Sequence, residues 1–63
     1  MKVGEKVICN KTVYCIVTDL KKTSLLFDVY KNDEKVNRRE FYNSQGLDLE
    51  QVKRSMIFEF KDL

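Results

Sequence analysis

The chain of 63 residues contains no histidine, no tryptophan and no proline, and only two cysteines and two glycines. Each absence closes a class of function. Without histidine, the side chain that most readily exchanges protons near neutral pH is missing, and general bases are left to carboxylates, lysines and tyrosines scattered on polar stretches. The two cysteines fall short of the four Cys or His ligands that a structural zinc ion takes, so no metal is expected. Isolated glycines make no phosphate-cradling loop. So short a chain also leaves little scope for a concave site of a few hundred cubic ångströms. The expectation is a protein that is not an enzyme and carries no cofactor.

What is present describes one small folded unit spanning residues 1–63. A hydrophobic share of 43% and a charged share of 35% suit a soluble globular domain. A chain of this size buries only about 60% of the surface its unfolded form exposes, so the core is small and each buried side chain counts. The net charge of +2, from 12 basic and 10 acidic residues, is too balanced to be a footprint for nucleic acid by itself. No apolar run approaches the roughly 18 residues of a membrane helix, and Met1 to Lys6 lacks a signal-type apolar core. The expected compartment is therefore the cytoplasm, with no membrane contact and with Cys9 and Cys15 reduced and packed as small apolar groups. A two-residue hairpin turn at Asn10-Lys11 would send the two thiols to opposite faces of the hairpin, whereas a three-residue turn would put both on one face.

Hydrophobic periodicity predicts a mainly β domain. Glu5 to Cys9 reads as a short strand, and Thr12 to Asp19, rich in β-branched and aromatic residues, as a central strand buried on both faces. Ser24 to Tyr30 follows, with Leu25, Phe27 and Val29 alternating onto one face. Asn32-Asp33 is the strongest turn signal, because both residue types tolerate the left-handed conformation of tight hairpins. Glu34 to Tyr42 starts polar, alternates poorly and reads as a solvent-facing edge strand. Asp48 and Gln51 form a capping-box pattern that opens a short helix over Leu49, Val52 and Lys53-Arg54. Met56, Phe58 and Phe60 then alternate as a closing fifth strand. The predicted core is Val13, Cys15, Val17, Phe27, Val29, Phe58 and Phe60.

Five short antiparallel strands with one helix before the last resemble the SH3-like small β-barrels, or a curled sheet of the same type. Gly4-Glu5-Lys6-Val7 is similar to the Gly-acidic-x-Val opening of such modules, the KOW type included, over the first strand only. That resemblance implies a nucleic-acid-binding role. Phe41-Tyr42 with Gly46-Leu47-Asp48-Leu49-Glu50 resembles the strand-to-helix junction of the small phage inhibitors of uracil-DNA glycosylase, over about a dozen residues.

The one stretch where basic and aromatic residues interleave is Lys35 to Tyr42. Charge on an edge strand ordinarily guards against aggregation. The same residue types also make interface hot spots, and Tyr30 lies across the Asn32-Asp33 turn from them. Tyr30, Arg38, Arg39, Phe41 and Tyr42 are therefore the candidate contacts for a larger protein partner. The alternative is an SH3-like nucleic-acid-binding module using Lys21, Lys22, Lys35, Arg38, Arg39 and Lys53. Pairing of the edge strand with its own copy would instead give a homodimer. The small size, the many lysines and asparagines and the lack of catalytic groups fit a phage or mobile-element protein that acts by occluding a host protein.

Overall fold

The computed structural model describes all 63 residues. Four antiparallel strands, β1 (Lys6–Ile8), β2 (Val13–Leu20), β3 (Ser24–Lys31) and β4 (Glu34–Tyr42), lie in the order β1-β2-β3-β4, and one helix, α1 (Leu49–Phe60), follows them. The protein is mainly β, as the periodicity predicts, with four strands rather than five. The sheet is not closed into a barrel, because β1 and β4 remain its two free edges.

The expected fifth strand is the second half of α1. Met56, Phe58 and Phe60 satisfy an alternating pattern, but Val52, Met56 and Phe60 also satisfy a spacing of four, which stacks them on one side of a helix. The helical pattern prevails: those three are buried, while Phe58 is 72% exposed, against the expectation that placed it in the core. Asp48 opens the helix as anticipated, its carboxylate accepting from the backbone N–H groups of Glu50 at 3.1 Å and Gln51 at 3.3 Å. Gly46, at φ +101, turns the chain into this cap, and the Leu47 N–H donates to the Lys22 carbonyl at 3.0 Å, pinning the turn to the β2–β3 connection.

Helix and sheet bury one continuous cluster: Val7, Cys9, Val13, Cys15, Val17, Leu25, Phe27, Val29, Val52, Met56 and Phe60. All its strand residues share one sheet face, as the β1–β2 and β2–β3 registers require. Only that face of β2 is buried, which corrects the expectation of a strand covered on both sides; Tyr14, Ile16 and Thr18 are partly exposed on the other. A β-bulge at Thr18 shifts the register, so that Asp19 pairs with Leu26 and Leu20 with Leu25. Beyond it Leu20 packs against the core.

The β1–β2 connection takes the three-residue form. Asn10 Oδ1 accepts from the N–H groups of Thr12 at 2.8 Å and Val13 at 2.9 Å, and the Cys9 N–H donates to the Val13 carbonyl at 2.9 Å. Cys9 and Cys15 therefore sit on the same face, free and buried, with their Sγ atoms 3.8 Å apart. Asn10 Nδ2 also donates to the Lys61 carbonyl at 2.7 Å, tying this loop to the end of the helix.

Replacing Phe27 by Ala removes a fully buried ring at the centre of this core and is expected to cost about 3 to 5 kcal/mol. Phe58→Ala, on the solvent side of α1, should change stability by no more than about 0.5 kcal/mol. Urea or thermal unfolding of the two variants tests the helical register directly, because a closing strand would reverse the sensitivity of position 58.

Candidate functional site

Strand alternation divides the predicted contact residues between two surfaces. The β3–β4 register sets Phe41 opposite Leu25, Arg39 opposite Phe27 and Asn37 opposite Val29, so these face the helix. Arg38 opposite Asp28, Glu40 opposite Leu26 and Tyr42 opposite Ser24 face away from it. Phe41 stacks on Phe27 with centroids 5.4 Å apart. Arg39 is ion-paired with Glu59 and lies 5.5 Å from the centre of the Phe60 ring. Arg39 and Phe41 thus bind β4 to the helix layer, while Tyr30, Arg38 and Tyr42 share the open face, with Tyr42, opposite Ser24, at the far end of the sheet from Tyr30.

That open face is built in cross-strand rows. One runs Ile8, Tyr14, Tyr30, Lys35, and the next runs Lys6, Ile16, Asp28, Arg38. The Tyr14 and Tyr30 rings are stacked, with centroids 5.2 Å apart and planes within 9°. The Lys6 ammonium sits 4.1 Å from the Tyr14 centroid. The Tyr14 hydroxyl donates to the Asp33 carboxylate at 2.9 Å, and this bond pushes the phenol above its ordinary pKa. The Asn32-Asp33 turn that supplies the acceptor has both residues at positive φ, 53° and 64°, the tight turn anticipated from their chemistry.

Asp28 lies at the centre of this face and is buried, 8% exposed, although the face carries no covering layer. Lys35 Nζ lies 3.6 Å from its Oδ2 and Arg38 Nε 3.5 Å from its Oδ1. The Arg38 contact is a long ion pair without hydrogen-bond geometry, and Oδ1 has no hydrogen-bond partner. The single carboxylate, in the same cross-strand row as Ile16, draws both half-exposed cations toward the sheet and offsets one of their two charges.

The remaining cations do not join them. Lys21 and Lys22 occupy the β2–β3 connection, with Lys21 beside Asp19 at 3.9 Å. Lys53, on the helix, lies 3.9 Å from the Glu5 carboxylate. The set Lys21, Lys22, Lys35, Arg38, Arg39 and Lys53 is therefore spread over the sheet's open face, its helix side and a turn. Sequence reasoning missed Ile8, Tyr14 and Asp28, whose membership of the open face follows from the register alone. Its signal was the even spacing of Tyr14 and Ile16 in β2 and of Asp28 and Tyr30 in β3.

No group of three or more Cys, Asp or Glu side chains is placed to hold a metal ion, and no helix is long and apolar enough to cross a membrane. Comparison with protein-family profiles, with curated proteins and with solved structures finds no match to the chain.

Burial pushes the Cys15 thiol up to about 12 from the ordinary 9.0, with the neighbouring Cys9 adding to the effect, and raises Cys9 for the same primary reason. Raised thiol pKa values hold both sulfurs in the protonated, unreactive form near neutral pH. Their contribution to stability is intact below about 9 and is lost as pH climbs toward about 12, because only the unfolded chain then ionises freely. Thermal melts across this alkaline range should show the midpoint falling with pH, and the fall should be shallower in Cys15→Ala. Equal slopes in the two proteins would mean that the thiol is not desolvated.

Proposed function

We propose that this chain is a non-catalytic protein-binding module whose contact surface is the open face of the sheet, and that it acts by covering part of a larger protein. The supporting observation is the one-sided coverage of the sheet. Helix α1 buries one face, while the other displays Ile8 at 58% exposure in one row with Tyr14 and Tyr30 at one end, Tyr42 at 68% at the far end, and Ile16 and Leu26 in the rows between. Apolar and aromatic groups gathered on one surface and rimmed by Lys6, Lys35, Arg38 and Glu40 have the anatomy of a recognition patch. Aromatic and arginine anchors carry most of the energy of such contacts.

The electrostatics favour a protein over a phosphate backbone. Lys35 and Arg38 are already drawn to Asp28, and the Tyr14 ring is already engaged by Tyr30 and by the Lys6 ammonium. Strong nucleic-acid binding needs several uncompensated cations on one side. Occlusion of a host protein by a phage or mobile-element product is the form of this activity that the chain's size and lack of catalytic groups suit best.

The test is affinity capture from cells with and without nuclease, using three chains. The parent should retain a protein partner regardless of nuclease treatment, and Tyr30→Ala/Tyr42→Ala should lose it. Arg39→Ala should retain it, because Arg39 faces the helix. Loss of the partner on nuclease treatment, or retention by the double variant, would overturn this reading.

A further inference from the structure

The β4 edge is the longest exposed element of the fold, and every residue from Glu34 to Glu40 is exposed. We propose that β4 pairs antiparallel with β4 of a second copy about a two-fold axis at Arg39, placing Arg38 of each chain opposite Glu40 of the other. This inference rests on the strand edge and not on the open-face reading above.

Symmetry restricts the registers. A two-fold axis perpendicular to a sheet relates residues on the same face, so the axis must pass at a residue and each residue pairs with one of equal parity. An axis at Arg38 opposes Arg38 to itself and draws Lys35 and Glu34 into the pairing. An axis at Asn37 requires still more of the strand's beginning. Both run through the β-bulge of β4, where Val29 pairs with Asn37 but Tyr30 pairs with Lys35, leaving Val36 as the extra residue. An axis at Glu40 opposes Glu40 to itself. The axis at Arg39 keeps Asn37–Phe41 in regular pairing and meets the bulged Val36 only at the end of the ladder.

Charge and backbone select the same register. With the axis at Arg39, Arg38 faces Glu40 twice and Asn37 faces Phe41. Glu40 has no ion-pair partner within its own chain, and the Arg38 side chain is 59% exposed beyond its contact with Asp28. The two Arg39 side chains meet at the axis on the helix side, each already compensated by Glu59. The Asn43 N–H donates to the Thr23 carbonyl at 2.9 Å, so by alternation residues 41, 39 and 37 direct their backbone groups to β3, and 42, 40 and 38 direct theirs outward. Arg38 and Glu40 of opposite chains then form the hydrogen-bonded pairs of the new ladder, the Arg38 N–H exchanging its acceptor within the chain, Asn37 Oδ1 at 2.8 Å, for a carbonyl of the second strand, while Arg39 occupies a non-hydrogen-bonded pair. The product is one continuous sheet with both helices on the same side, and it removes the long free edge.

Sedimentation equilibrium up to millimolar concentration should show a dimer whose association weakens with salt. Glu40→Arg converts both Arg38–Glu40 pairs to like-charge pairs and should weaken association by at least about tenfold. Its melting curve should stay cooperative, since Glu40 makes no contact that the fold uses. An independent reading comes from mild oxidation. Arg39→Cys should form a covalent dimer through its own copy, whereas Arg38→Cys should not. A parent chain that stays monomeric at millimolar concentration, a Glu40→Arg dimer of unchanged affinity, or cross-linking at position 38 in place of 39 would each overturn the proposal.

Discussion

The packing of Val52, Met56 and Phe60 against the buried face of the sheet, from Val7 of β1 to Phe27 of β3, is the contact on which the rest of the structure depends. A four-stranded sheet has two faces, and a chain of this length supplies apolar side chains for one helix-covered layer. Phe27 sits at the centre of that layer, stacked on Phe41 from one side and met edge-on by Phe60, with centroids 6.0 Å apart, from another. Because the helix commits its apolar side to this face, the other face must be stabilised by its own cross-strand pairs. The stacked tyrosines, the Lys6–Tyr14 contact and the Asp28 ion pairs do that work without a covering layer.

Arg39 and Arg38 illustrate how alternation divides labour between neighbours. Adjacent in sequence, they project to opposite sides, so one clamps the edge strand to Glu59 and Phe60 while the other lies over Asp28. An edge strand with both kinds of anchor has contacts on both sides of the sheet. Its outward backbone groups at Arg38, Glu40 and Tyr42 face solvent, with the Arg38 N–H held by the Asn37 side chain, and an open edge of this kind is what β-pairing with a second chain needs.

Much of the sheet is legible in the sequence because period two is unambiguous where β-branched residues dominate. Val13, Cys15 and Val17, the Leu25-Phe27-Val29 alternation and the Asn32-Asp33 turn are read correctly from local chemistry. The ending is not, since residues 52 to 60 fit both a period of two over their last half and a spacing of four over the whole. Only the tertiary need for a covering layer decides between them. The same limit applies to the candidate site. Composition drew attention to Lys35 to Tyr42, but which of its residues share a face depends on register, and the share taken by Ile8, Tyr14 and Asp28 depends on strand order. The three-residue loop at Asn10 combines local bonds from the N–H groups of Thr12 and Val13 to Asn10 Oδ1 with one distant bond, to the carbonyl of Lys61, that the local sequence does not reveal.

The central claim is that one face of the sheet is sealed by the helix and the other is left free. The most direct test is to measure nuclear relaxation enhancement by a soluble paramagnetic chelate across the assigned side chains. Ile8, Tyr42 and Phe58 should relax strongly, while Phe27, Val29 and Met56 remain protected. Protection of Ile8 and Phe58 together with the core residues would show a closed barrel with a fifth strand, and would contradict this account.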